Sequence, residues 1–199
     1  MDSPTKISAS RVTAGLLAGG KSSRMGRDKA LVDFRGEPLW KRQLGTLREL
    51  TAGEILISGR PDASYANNGY RVLEDDIKEA GPLAGVSSLL RAAANPLLLV
   101  LAIDMPMMTA AYLGSLLHPC TPLCGAVPSR GGIFEPLAAV YPKAASAVAE
   151  ESLSAGRFSM QQFVRECESR ELVRIFPVSD EDASLFENLN TPTDLAGQS

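Results

Sequence analysis

The segment Leu17-Ala18-Gly19-Gly20-Lys21-Ser22-Ser23-Arg24-Met25-Gly26-Arg27-Asp28-Lys29 carries the densest chemistry in this 199-residue sequence. Adjacent glycines let a backbone pass close to a ligand and turn its N–H groups toward phosphate oxygens. Lys21, Arg24, Arg27 and Lys29 add countercharge in the same short stretch. Asp104 closes the apolar run 97–103. A carboxylate fixed at a strand end suits Mg²⁺, which takes one or two carboxylates and fills its sphere with phosphate oxygens. Together these residues read as a site for a phosphorylated small molecule. His118 is the single histidine and lies near Cys120 and Cys124. That trio lacks a fourth zinc ligand and any neighbouring nucleophile turn, so the thiols read as half-buried side chains near a helix end.

The elements that must position these groups alternate between strand and helix. Val12–Leu17 reads as a buried strand that feeds the glycine loop. Residues 38–50 read as a helix with Leu39, Trp40, Leu44, Leu47 and Leu50 on one face. Glu54–Ser58 is a second strand, ended by Gly59, and 70–73 a third that runs into Glu74-Asp75-Asp76. A helix over 83–94 points Leu83, Val86, Leu90 and Ala93 inward, with Pro82 in its first turn. The most apolar run, 97–103, predicts a central strand covered on both faces. Thr109 is a candidate N-cap for a short helix over 109–117. Strands are expected at 126–127 and 134–141 around Gly131-Gly132, helices at 143–154 and 159–168 around Gly156, and a last strand at 172–178.

This alternation predicts an α/β sandwich with a mostly parallel sheet. Ligands in such sheets sit beyond the carboxyl ends of the strands. The glycine loop after Leu17, the acidic run after Leu73 and Asp104 after Ile103 are therefore expected to converge on one crevice.

Composition narrows the partners. The net charge of −3 favours neither nucleic acid nor an anionic membrane. No segment approaches the roughly 18 apolar residues of a membrane span. Three cysteines are an odd number, which suits a reducing cytoplasm. A chain this long can bury about 70% of its extended surface without a staple. Residues 1–10 are polar and expected as a frayed tail; 11–199 are expected as a single domain.

One competing motif is present. Gly15-Leu16-Leu17-Ala18-Gly19-Gly20-Lys21-Ser22 satisfies the G-x-x-x-x-G-K-[ST] pattern of a P-loop, and 97–104 has the form of its partner strand. Leu16 and Leu17, however, continue the apolar strand. Residues 22–29 lack the apolar helical period that a P-loop needs in order to aim a helix N-terminus at the phosphates.

The glycine loop resembles the LAGG-type signature of nucleotidyltransferases. More narrowly it is similar to the molybdenum cofactor guanylyltransferase (MobA) family. Other segments agree in order: Leu73-Glu74-Asp75, Gly81-Pro82-Leu83-Ala84-Gly85, Ala102-Ile103-Asp104-Met105-Pro106, Glu135-Pro136-Leu137, and Asn188-Leu189-Asn190-Thr191-Pro192-Thr193-Asp194-Leu195. The resemblance implies a three-layer α/β/α sandwich with a Rossmann-like, mostly parallel sheet. It implies transfer of GMP from GTP to the terminal phosphate of molybdopterin, with release of pyrophosphate. Cytidylyl transfer to the same pterin, or another small-molecule nucleotidyl transfer, is the nearest alternative. Gly19-Gly20 favours the guanylyl branch.

The implied roles follow from the same match. Asp104 holds Mg²⁺, and Lys29 and Arg24 neutralise phosphate charge. The backbone of Leu17, Ala18 and Gly19, with Gly20, faces the nucleotide. Asp75 meets the guanosine, with Asp76 one residue away, and Gly81, Pro82 and Leu83 flank the base or ribose. Glu135, Asn188 and Asn190 fall on the pterin or phosphate side. Many family members carry Asn where this chain has Ser58, and a hydroxyl replaces only part of an amide's hydrogen bonding. Handing on a labile product implies transient contact with other molybdenum cofactor proteins.

Overall fold

The computed structural model describes residues 7–19, 29–50, 52–66, 68–74, 77 and 80–189. One sheet dominates. Strand β1 (Val12–Leu17) is followed by a two-residue hairpin, β2 (Asp33–Phe34) and β3 (Glu37–Pro38), and helix α1 (Leu39–Glu49). Then come β4 (Glu54–Ser58), β5 (Arg71–Leu73), α2 (Pro82–Ala92), β6 (Leu97–Ala102) and α3 (Ala110–Leu116). The second half contains β7 (Gly125–Arg130), β8 (Ile133–Phe134), β9 (Ala138–Pro142), α4 (Ala145–Ser154), α5 (Met160–Ser169) and β10 (Val173–Pro177).

The large sheet runs β5-β4-β1-β6-β9-β7-β10, with β8 paired to β7. Strands β5, β4, β1 and β6 run parallel to one another, as do β7 and β10, while β9 runs antiparallel to both β6 and β7. The expected mostly parallel, helix-flanked sheet is present. Side chains of β6 alternate between two cores, as a strand with both faces covered requires. Leu97, Leu99 and Leu101 pack with α1 and α3. Leu98 and Val100 pack with α2, α4 and α5. All five are fully buried. No helix among the described residues is long and apolar enough to cross a membrane.

The chain passes from β1 out to β4 on one side and returns to β6 on the other. The carboxyl ends of β1 and β6 are therefore the topological switch point, the place where ligands bind in open α/β sheets. The register sets Leu17 beside Ala102, so the glycine loop and Asp104 leave the sheet side by side.

Several boundaries differ from the sequence reading, for identifiable reasons. The run 134–141 is two strands, because Pro136 has no N–H for a ladder and Glu135 instead donates its N–H to the Pro128 carbonyl (2.8 Å). The helix expected over 83–94 stops at Ala92, since the Ala94 N–H goes to the Glu54 carboxylate (2.9 Å). Helix α4 starts at Ala145 because Lys143 ties its N–H and ammonium to the Pro96 and Ala93 carbonyls. Within the stretch expected to fray, Ile7 is buried and Ala9–Arg11 form a 3₁₀ turn.

Candidate active site

Backbone hydrogen bonds stitch the start of the glycine loop to its neighbours. Ile103 donates its N–H to the Leu17 carbonyl (3.1 Å). Ala18 and Gly19 both donate to the Ser58 carbonyl, at 2.8 and 3.0 Å. The amides of Ala18 and Gly19, expected to meet phosphate, are therefore spent on β4. Ser58 is 1% exposed, and its backbone carbonyl holds the start of the loop.

Asp104 lies in the turn just beyond β6, half-buried beside this junction. Its Oδ2 accepts from Lys29 Nζ at 3.1 Å. The two side chains are 22% and 26% exposed, open enough to reach a ligand and sheltered enough to be oriented. Lys29 opens the 3₁₀ turn Lys29–Leu31, and the completely buried Ala30 anchors that turn to the core. Val32 donates to the Lys29 carbonyl (3.1 Å), and Leu39 donates to the Val32 carbonyl (2.9 Å), which tie the turn to the start of α1. The lysine from the first loop thus closes on an acid 75 residues away.

The model of the MobA-like NTP transferase domain matches residues 14–171 of this chain. The chain belongs to that family. A protein of Opitutus terrae described as "Probable molybdenum cofactor guanylyltransferase" is 41% identical over 189 residues, covering 94% of each chain. A "Molybdenum cofactor guanylyltransferase" of Pseudomonas putida is 34% identical over 180 residues, covering 89% of this chain and 92% of that one. The crystal structure of molybdopterin-guanine dinucleotide biosynthesis protein A from Archaeoglobus fulgidus superposes with a TM-score of 0.74 at 25% identity, covering 94% and 96% of the two chains.

Among the remaining expected residues of this MobA-like domain, Asn188 is brought to Asp104 by a hydrogen bond of its neighbour. Leu189 donates its N–H to the Asp104 carbonyl (2.9 Å), which brings the exposed Asn188 next to the acid. Gly81 caps α2 at φ +66° and ψ −158°, a conformation open to glycine, and Pro82 occupies the first helical turn. Leu83 is fully buried in the core with Val86 and Leu90, so its side chain does not line the crevice. Glu135 is half-buried in the link between β8 and β9. Burial raises its carboxyl above the ordinary carboxylate value, against the pull of Arg130. Gly20, Lys21, Arg24, Arg27, Asp75, Asp76 and Asn190 lie outside the described residues.

The P-loop pattern does not survive the fold. Gly15, Leu16 and Leu17 are inside β1 with no room for a phosphate curl, and a Cβ on Gly15 would stand 2.7 Å from Leu89 Cδ1. The cysteines have ordinary partners: the Cys120 thiol is buried and donates to the Leu116 carbonyl (3.0 Å), and Cys124 Sγ lies 3.7 Å from the Gly125 carbonyl.

Two contributors escaped the sequence reading. Gln43 is completely buried on the apolar face of α1, and its Nε2 donates to the carbonyls of Ala102 (3.1 Å) and Met105 (2.7 Å). Its signal was a polar residue four positions from both Leu39 and Leu47, inside an apolar stripe. Arg42, beside it, donates from Nε to the Pro106 carbonyl (2.6 Å).

Proposed function

We propose that this chain transfers GMP from GTP to the terminal phosphate of molybdopterin, releasing pyrophosphate and forming the guanine dinucleotide of the molybdenum cofactor. The observation that carries the reading is the Lys29–Asp104 pair at the switch point of the sheet, in a chain whose full-length relatives bear the guanylyltransferase name. The reaction needs no protein nucleophile. A phosphate oxygen of the pterin attacks the α-phosphorus of GTP, and the bond to pyrophosphate breaks. The enzyme's task is to hold two anions in line and neutralise them.

The donor set fits Mg²⁺. Asp104 offers a hard carboxylate with one oxygen engaged by Lys29, and Mg²⁺ needs few protein ligands when a triphosphate supplies others. Bound there, the ion would neutralise and orient the triphosphate oxygens. Lys29 keeps the carboxylate aimed and presents its own charge to the phosphates, with Arg24 as a second clamp. With the amides of Ala18 and Gly19 occupied, Lys29 and the residues after Gly19 take the phosphate contacts. The carbonyls of Ala18 and Gly19, with Asp75 and the turn Gly81-Pro82, serve the nucleoside. Glu135, Asn188 and Asn190 are assigned to the acceptor.

The test compares binding of GTP, CTP and ATP with Mg²⁺, and pyrophosphate release with molybdopterin, in wild type and Asp104→Ala. GTP is expected to bind at least tenfold tighter than CTP, and Asp104→Ala to lose at least about 10²-fold in turnover. Equal affinity for CTP and GTP would overturn the guanylyl assignment.

A further inference from the structure

We infer that Gln43 is a positioning residue for Asp104: one buried amide on α1 grips both ends of the turn that carries the acid. The two carbonyls it holds, Ala102 and Met105, bracket Ile103 and Asp104. The orientation of the amide is decided by its partners. Both are acceptors, so the NH₂ group must face them and the oxygen must face away. That oxygen, Oε1, is buried and has no hydrogen-bond partner. An apolar side chain of the same length would avoid stranding it. The sequence nevertheless places glutamine on a face otherwise filled by Leu39, Leu44 and Leu47. An orphaned polar atom in a packed interior calls for a reason, and the two donated bonds supply one.

The rest of the turn is held by backbone. Ala102 donates to the Leu137 carbonyl (2.8 Å), Ile103 to Leu17 (3.1 Å), Leu189 to the Asp104 carbonyl (2.9 Å) and Met108 to Met105 (3.1 Å). These bonds tie the turn to β1, to the residue just before β9 and to the C-terminal segment. Gln43 adds α1, the helix that begins ten residues after Lys29, and Arg42 of the same helix supports it by donating to the Pro106 carbonyl (2.6 Å) just beyond. Through it, the element that follows the lysine and the turn that bears the acid become one rigid body. The carboxylate then meets Lys29 and a divalent ion without a search over turn conformations. Groups bonded directly to a ligating side chain change metal affinity by about 10- to 100-fold when removed, and Gln43, which holds the turn and not the carboxylate, is expected at the lower end of that range.

This inference rests on the proposed role of Asp104, and the experiment keeps the two separable. Gln43→Met preserves length and removes both donors. Phe163→Leu, in the other core against Tyr141, serves as a control for general loss of stability. Hydrogen exchange without ligand reads the brace: the Ile103 amide is expected to exchange about tenfold faster in Gln43→Met and unchanged in Phe163→Leu, with Leu99 amide exchange as an internal reference. Mn²⁺ binding in the presence of GTP, followed by electron paramagnetic resonance, reads the function: it is expected to weaken about tenfold in Gln43→Met alone. Unchanged exchange at Ile103, or faster exchange with unaltered Mn²⁺ binding, would overturn the inference. If Gln43→Met fails to fold, the wild-type Gln43 side-chain amide decides. Slow exchange and a shift on adding MgGTP support the brace, and solvent-like exchange overturns it. Failure of wild type to bind Mn²⁺ with GTP would instead fault the proposed function, while the exchange data still report on the brace.

Discussion

Lys29 and Asp104 show how a pair is made useful by being neither buried nor free. A fully exposed pair would contribute little, and a fully buried one would cost more in desolvation than it returned. Here each partner is about a quarter exposed, and the pair sits where the sheet reverses. Lys29→Ala is expected to lower kcat/KM by about 10²-fold, through lost charge and a misdirected Asp104. Lys21→Ala should cost markedly less. Steady-state kinetics on both variants check this, and a larger loss at Lys21 would show the phosphates to be misassigned. Glu135 presents the opposite case. Its carboxyl has a raised proton affinity from burial, so its ionised form is held at a cost near neutral pH. Glu135→Gln should raise the melting midpoint at pH 7, because it removes a carboxylate that burial holds ionised at a cost. The same change should raise KM for the pterin and leave that for GTP alone. A fall in stability, or a change confined to GTP, would place Glu135 elsewhere in the chemistry.

At the scale of elements, close backbone approach decides which positions tolerate change. Gly125 begins β7, where a Cβ would run into the Val140 carbonyl of β9. A backbone atom cannot move aside as a flexible side chain can. Gly125→Ala is therefore expected to destabilise by about 1–3 kcal/mol. Gly45, in the middle of α1, has open space around its missing Cβ and no left-handed φ. Gly45→Ala should stabilise by about 0.5–1 kcal/mol, by restricting the unfolded chain and favouring helix. Urea titrations of the two variants measure both signs. The β2–β3 hairpin was the element that patterning missed. Its turn uses Arg35 and Gly36 at φ +54° and +84°, with the Gly36 N–H held by Asp33 Oδ1 at 2.9 Å. The usual Asn-Gly or Asp-Gly signal is absent, and two-residue strands are too short to show a period.

For the molecule as a whole, buried ionisable groups set the alkaline limit. Burial pushes the thiols of Cys120 and Cys167 from an ordinary value of 9.0 up to about 12. Tyr112 is pushed from 10.0 up to about 12, by burial first and then by the charges of Asp182 and Glu135. In each case the neutral form is favoured by folding. The unfolded chain ionises first, so this stabilisation is complete below about pH 9 and drains away as pH rises toward 12. The melting midpoint should therefore fall steadily between pH 9 and 12. At pH 8, Cys124 should be alkylated while Cys120 and Cys167 stay protected until the chain unfolds. Mass spectrometry of labelled peptides reads the order directly.

Local information determined the elements whose burial is periodic or complete. Val12–Leu17 and Glu54–Ser58 have the same limits in pattern and in structure, and Thr109 does cap α3 by accepting from the Tyr112 amide. It also marked Asp104, as an acid at the end of an apolar run, and Lys29, as one of the basic residues after the paired glycines, and the structure brings the two together at 3.1 Å. What the tertiary structure decided was which backbone groups remain to meet a ligand. The amides of Ala18 and Gly19 look available in the sequence and are taken by Ser58, 40 and 39 residues away. Leu83 reads as inward from the helical period and as a neighbour of the base or ribose from the resemblance, and the structure places it in the core. Gln43 looks like a flaw in an apolar face and is a clamp on Ala102 and Met105. The physical reason shared by Ala18, Gly19 and Gln43 is that a buried donor needs an acceptor, and that acceptor is supplied by packing between elements distant in the chain.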